Sequence, residues 1–345
     1  MSKALRNLSV ILPTLNEEER IRRLLQELKS QKGLLLEIIV ADGGSWDQTA
    51  YMAREQGVMV VRTDAGRGRQ MNAGARAATM EILLFLHADS SFEGPYFLQS
   101  ALKEYEQRRQ RQRGILGGHF RLQFHCESGT CSPVYSFLEA KSGINRRDTF
   151  NGDQGLLISR QDFFEVGGFQ EDLPFLEDKY MGRLILARGE MFTLQGKLIT
   201  SARRFEREGF WQRYVLMAII MGAFAASADD LLKNLPEFYI PQNQADELDL
   251  TPYLDGIFQY LDELEVQRYE EITAEVGSFV RENAWQLFLI PDLLGIWPCK
   301  WLELYDALVA PVLEKPFFDE LAKRLTLQAL NGLYQGLKWR EKKAY

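Results

Sequence analysis

Residues 8–17 read Leu8-Ser9-Val10-Ile11-Leu12-Pro13-Thr14-Leu15-Asn16-Glu17, and the fold class turns on this stretch. Ser9–Leu12 is a short apolar run rich in β-branched residues, which predicts a buried strand. Pro13 interrupts it. Over Glu17–Ser30 the period then changes, with Ile21, Leu24, Leu25 and Leu28 returning on one face of an amphipathic helix. A strand that passes through a polar turn into a helix is the opening of an α/β sheet. The same alternation continues downstream. Ile38–Ala41 reads as a strand, Thr49–Gln56 as a helix, Val58–Arg62 as a strand, Met71–Thr79 as a helix and Ile82–Leu86 as a strand.

Polar clusters fall at the ends of these strands. Pro13, Thr14, Asn16 and Glu17 follow the first, Asp42-Gly43-Gly44 the second, and His87-Ala88-Asp89 the Ile82–Leu86 strand. In open α/β sheets ligands gather at the carboxyl ends of strands, so these loops are the places to look for chemistry. Asp42 is suited to accept hydrogen bonds from a base or ribose, with Gly43 and Gly44 turning the backbone beside it. Each cluster also has a structural reading: Asn16 and Asp47 are both good helix caps.

Further along, Tyr96–Arg113 reads as a helix whose basic end, Arg108–Arg113, is a solvated surface. In Gly118–His125 the polar His119, Arg121, Gln123 and His125 alternate with Phe120, Leu122 and Phe124. That is a strand with one polar face, and a solvated face and a substrate wall fit it equally. From about residue 214 strand signals stop and apolar residues recur at helical spacing, as at Leu254, Ile257, Phe258, Leu261 and Leu264. Prolines from Pro236 to Pro316 are expected to divide this region into short helices. The expected organisation is therefore an α/β domain over 1–213 and an all-helical module over 214–345.

Composition narrows the function classes. The chain has 345 residues and a net charge of −7, which disfavours nucleic acid as the main partner because a polyanion needs a basic surface. Its three cysteines, Cys126, Cys131 and Cys299, have no CxxC spacing and are expected as reduced thiols of a cytoplasmic protein. The most membrane-like stretch, Tyr214–Ala228, falls short of the roughly 20 apolar residues a spanning helix needs. It is expected as a buried core helix, or else as an interfacial one that leaves peripheral membrane contact open. No transmembrane segment is expected.

Several short motifs occur in a telling order. After LSVILPTLNE and Val40–Asp47 come Gly66-Arg67-Gly68-Arg69-Gln70-Met71-Asn72-Ala73-Gly74, then Phe85-Leu86-His87-Ala88-Asp89. Asn151-Gly152-Asp153-Gln154-Gly155, Phe175-Leu176-Glu177-Asp178 and Arg203-Arg204-Phe205-Glu206 follow. In this order and spacing the chain resembles the family 2 glycosyltransferases, which have the GT-A fold, over roughly residues 8–213. More narrowly it is similar to a bacterial subgroup carrying GRGxQMNxG, LHAD and GDQG.

The resemblance implies a metal-assisted, inverting transfer of a sugar from a nucleotide-diphosphate donor to an acceptor that the sequence does not identify. It implies a divalent ion at His87-Ala88-Asp89, with Asp89 as the main ligand. The family's first acid is replaced by His87, and an imidazole suits manganese better than magnesium. Arg67 and Arg69, read as part of a glycine-rich loop before a helix, are implied to meet the diphosphate, as are Arg203 and Arg204. Asn72 and His87 join the donor-binding residues, and Asp153 is implied for the transferred sugar or the acceptor. Asp178 is the implied acceptor base, with Glu177 in reserve. Two other classes stay open: a catalytically silent nucleotide-sugar-binding or assembly protein, and a nucleotidyltransferase.

Overall fold

The computed structural model describes residues 6–129, 131–173, 175–239, 247–296 and 300–344. The chain divides into two compact units, Met1–Ala202 and Arg203–Tyr345. The division precedes the boundary expected near residue 213, because the strand signal ends at Ser201 and a helix begins at Arg203.

The first unit is built on a seven-stranded mixed sheet. Its strands are β1 (Arg6–Thr14), β2 (Leu34–Asp42), β3 (Met59–Arg62), β4 (Ile82–Phe85), β5 (Ile115–His125), β6 (Leu156–Ser159) and β7 (Gly189–Ser201), in the order β3-β2-β1-β4-β6-β5-β7. β1, β2, β3 and β4 pair in parallel, whereas β6 runs antiparallel to β4 and β5. The helices are α1 (Glu18–Lys29), α2 (Thr49–Glu55), α3 (Arg67–Ala77), α4 (Phe97–Arg109), α5 (Tyr135–Ser142), α6 (Arg160–Glu165) and α7 (Glu177–Arg188).

Side chains alternate across each strand, so the sheet carries a core on both faces. Val10 and Leu12 pack with Leu24, Leu25 and Leu28 of α1 and with Leu98 and Leu102 of α4. Ile11 points the other way, into a cluster with Met71 and Ala75 of α3, Phe163 of α6, and Met181 and Ile185 of α7. Strands buried on both faces need continuous apolar runs, which is why β1 and β2 are so plainly written in the sequence.

Two expectations are corrected here. Cys126 and Cys131 are joined by a disulfide rather than standing as free thiols. The turn after β5 brings their Cα atoms to 5.3 Å, within bridging range. Cys299 lies outside the described residues. On β5 the polar face is split, for Arg121, Gln123 and His125 are exposed while His119 is buried.

The second unit is all helical among its described residues: α8 (Arg203–Glu208), α9 (Phe210–Ala225), α10 (Asp229–Tyr239), α11 (Thr251–Glu263), α12 (Val266–Glu282), α13 (Trp285–Leu293), α14 (Trp301–Leu304), α15 (Ala310–Leu313) and α16 (Pro316–Ala344). A π-helical turn, Tyr305–Val309, separates α14 from α15. The prolines do not keep every helix short. Pro291 sits inside α13, and α16 runs for 29 residues because Pro316 occupies its first position, where the missing N–H costs nothing. The apolar stretch expected as a core helix is α9, which buries Leu216, Ile220, Met221 and Phe224. Among the described residues no helix is long and apolar enough to cross a membrane.

Candidate functional site

The polar clusters meet at one edge of the sheet, and β6 explains how. Because β6 is antiparallel, its first residue, Leu156, pairs with Phe85 at the end of β4. The Asn151–Gly155 turn therefore arrives beside His87-Ala88-Asp89, although more than sixty residues of sequence separate them. His87 Nδ1 lies 2.8 Å from Asp153 Oδ1. A Cβ added to Gly152 would stand 3.1 Å from His87 Nε2 and 3.4 Å from Asp178 Oδ2, so a side chain there would press on both groups.

The amino end of α7 closes the cluster. Its first turn carries Glu177 and Asp178, preceded by Leu176 in the left-handed region at φ 71°. The Gly152 amide donates to Asp178 Oδ2 at 2.5 Å, and the Lys179 amide donates to Oδ1 at 2.8 Å. Asp178 is half-buried, whereas Glu177 is only 2% exposed and pairs with Arg67 Nε at 2.9 Å. Beneath them the buried Lys179 ammonium donates to the carbonyls of Asp148 and Phe150, fixing the loop that leads into Gly152.

Electrostatics sets these groups apart. Burial opposes protonation of His87, yet the hydrogen bond and charge of Asp153 outweigh it and hold the imidazole above its ordinary range. Burial pushes the Glu177 carboxyl up; Arg67 pulls against it and Asp178 adds to it. His119 shifts the other way, lowered by burial. It is 2% exposed, bonded to Asn145 at 2.7 Å and to Gln154 at 2.8 Å, and so anchors the Gly152–Gly155 turn from behind.

The Gly66–Gly74 segment is a helix rather than a loop: α3 begins at Arg67. Its inward positions are structural. A Cβ on Gly68 would lie 2.2 Å from the Gln170 carbonyl oxygen, and one on Gly74 would lie 2.4 Å from Ile11 Cγ2. Gln70 Nε2 donates to the carbonyls of Thr14 and Ala41, tying the ends of β1 and β2 together at 2.8 and 2.9 Å. Asn72 donates to the Phe169 carbonyl and Glu171, and it accepts from the Phe169 amide. Its side chain is thus tied to the 169–171 loop. Arg67 and Arg69 point outward, 44% and 41% exposed, and Arg69 lies 3.8 Å from Asp172.

The loops after β1 and β2 are stitched to each other. Asn16, at φ 56°, accepts from the Trp46 amide at 3.0 Å, and its own amide donates to Ser45 Oγ. Glu17 donates its amide to Thr49 Oγ1 and pairs with Arg20. Asp42 is fully buried, and its carboxylate accepts from the amides of Gly44 and Ser45, so it holds the turn. The buried Thr14 hydroxyl has no partner among the described residues. Trp46, 85% exposed on this double loop, was missed in the sequence; an aromatic residue just after Gly43-Gly44 was the available signal.

The expected metal pair, Asp89 and His87, gains no third protein ligand: among the described residues no three His, Cys, Asp or Glu side chains are grouped to hold an ion. Asp89 is half-buried and makes no ion pair or hydrogen bond among the described residues, so its carboxylate is available. Arg203 and Arg204 open α8 and belong to the helical unit.

Residues 9–113 match the model described as glycosyl transferase family 2. The chain is 35% identical over 118 residues to the 4,4'-diaponeurosporenoate glycosyltransferase of Staphylococcus haemolyticus, a match covering 32% of this chain and 31% of that protein. It is 34% identical over 111 residues to the glucosyl-3-phosphoglycerate synthase of Mycolicibacterium smegmatis, covering 29% and 37%. The chain thus spans about a third of the length of these relatives. Among solved structures, S. aureus TarS 1-349 in complex with UDP has a TM-score of 0.48 and 16% identity, covering 98% of this chain and 92% of that one.

Proposed function

We propose that this chain, which belongs to glycosyl transferase family 2 by its residues 9–113, moves a sugar from a nucleotide-diphosphate donor to an acceptor with inversion at the anomeric carbon. One observation carries the proposal. The antiparallel β6 and the start of α7 bring three acids, a histidine and an arginine (Asp153, Glu177, Asp178, His87 and Arg67) to the edge where β1, β2 and β4 also end. Two of the relatives are named for a glycosyl transfer and for the synthesis of a glucosyl compound.

In this reading the donor's base rests against the Asn16–Trp46 double loop, with the exposed Trp46 ring as its stacking surface. Asp42 shapes that loop instead of touching the base. Arg67 and Arg69, at the amino end of α3, face the diphosphate, where the helix dipole also favours negative charge. His87, held by Asp153 through Nδ1, stands close to the leaving group and would meet a bound ion as the neutral ring. Asp178 takes the acceptor's proton: it is the less buried of the two adjacent acids, and the Gly152 and Lys179 amides fix its direction. Glu177 holds Arg67 in place. Arg203 and Arg204 are assigned to the diphosphate on the family resemblance alone.

A divalent ion fits Asp89, because ions of this kind commonly take one or two carboxylates and complete their shell with substrate phosphate oxygens. The ion would neutralise charge on the departing diphosphate. Manganese is the preferred ion here, since an imidazole stands beside that carboxylate.

The test is a thermal-shift titration of the full chain with UDP, GDP, ADP and CDP, with and without manganese. Binding to the native state raises its melting temperature by mass action. A shift for at least one nucleotide that is larger with manganese supports the reading, and no shift with any of them contradicts it.

A further inference from the structure

The helical unit contains a cavity of about 670 Å³ that the transfer reading does not use. It lies between α9, α11, α12 and α16, is open to solvent on one side, and has almost entirely apolar walls. Five polar residues line it, and each is already satisfied within the protein. Tyr214 donates to Gln286 at 3.0 Å, Thr273 to the Tyr269 carbonyl at 2.8 Å and Thr326 to the Ala322 carbonyl at 2.7 Å. Arg281 pairs with Asp319 at 2.6 Å, and Lys323 pairs with Glu270. The polar neighbours are thus paired with groups of the protein, and the surface that lines the space is apolar.

Small residues line the space: Gly222 is buried, Ala322 half-buried, and Ala218 and Ala329 exposed. A Cβ on Gly222 would meet only Val276, at an ordinary 3.5 Å. Water in this space finds few groups to bond, since the walls are apolar. The volume is that of a small-molecule site, which typically encloses about 300–1,000 Å³.

We propose that the helical unit binds one long-chain hydrocarbon molecule, acyl or isoprenoid, with its chain between α9, α11, α12 and α16 and its polar end outside the cavity. Burying a chain in a dry apolar pocket is favourable in proportion to the area withdrawn from water. The proposal is independent of the transfer reaction, because it is read by ligand binding alone.

Titration of the full chain with cis-parinaric acid, whose fluorescence rises in apolar surroundings, tests it. One probe per chain should bind saturably, and displacement by oleate or by farnesol then tells whether the site prefers an acyl or an isoprenoid chain. Ala218→Leu and Ala329→Phe fill the space. Each should weaken probe binding at least tenfold, keep or raise the melting temperature, and leave the nucleotide-induced shift unchanged. Binding that does not saturate, or that both variants leave intact, overturns the proposal. A lower melting temperature in both variants overturns it as well, since the space would then be filled already. So does a concentration-dependent dimer that excludes the probe, which would make the cavity an interface.

Discussion

The two units of this chain treat polar groups in opposite ways. In Met1–Ala202 polar side chains are gathered where β1, β2 and β4 end and are turned toward each other: His87 to Asp153, Glu177 to Arg67 and Asp178 to the Gly152 amide. Arg203–Tyr345 contains an apolar space whose few polar neighbours are paired with groups of the protein. The difference teaches what each unit can recognise. A converging set of charges binds a charged molecule and stabilises changes in its charge, whereas a satisfied apolar cavity binds surface and has no chemistry of its own.

The largest effect that would sharpen this contrast is expected at Asp178. Asp178→Asn should lower transfer turnover by about 10²–10⁴-fold, the usual worth of a general base, while the nucleotide-induced thermal shift survives. Equal turnover in the variant would move the base elsewhere, and Glu177→Gln is then the next variant to measure. Asp89→Ala should come second. It removes the manganese-dependent part of the nucleotide shift but leaves the melting temperature of the free protein close to wild type, because no hydrogen bond or ion pair among the described residues is lost. A full manganese-dependent shift in that variant would show that the ion is held by other groups.

The α3 segment offers a comparison within the first unit. Asn72→Ala breaks buried bonds to Phe169 and Glu171 and should cost about 1–3 kcal/mol of stability in denaturant unfolding, with nucleotide affinity unchanged in the folded protein. Arg67→Ala should do the reverse for nucleotide affinity, which falls. If Asn72→Ala weakens nucleotide binding without loss of stability, its place among the donor-binding residues is restored. Trp46→Ala should weaken free-nucleoside binding by about 1 kcal/mol, the scale of one aromatic contact.

The smallest expected effect is a titration. His87 is held above and His119 below the ordinary imidazole range of about 6.5, and the chain has only three histidines to distinguish. A raised imidazole pKa means that the His87–Asp153 interaction is fully present below the unfolded value and is lost as pH rises through the folded one. Ring-proton NMR should therefore show His87 titrating last and His119 first, and Asp153→Asn should bring His87 down. Coincident titration of the two rings would remove the electrostatic basis of the site.

How much of this was legible follows from the same physics. β1, the end of β2 and β4 are apolar runs because they are buried on both faces, and the clusters after them stood out as polar breaks in those runs. Leu156–Ser159 and Gly189–Ser201 carried no comparable signal: the first has four residues, and Gly196 interrupts the second. Without β6 nothing in the sequence brings Asp153 to His87. The Gly66–Gly74 segment looked like a loop because glycine weakens helices, yet Gly68 and Gly74 are there for backbone and side-chain approach to α3. In the helical unit apolar spacing marked the helices, but the same letters describe a filled core and an empty one. The cavity could be found only in three dimensions.

A donor site at the strand-end cluster of the first unit should release nucleoside diphosphate from a bound donor. The full chain is incubated with UDP-, GDP-, ADP- and CDP-sugars and manganese, and free nucleoside diphosphate is followed over hours. The account predicts slow release from at least one donor, dependent on the ion, lost in Asp89→Ala and unaffected by Ala218→Leu in the helical unit. No release from any donor, or release that persists undiminished in Asp89→Ala, would contradict it.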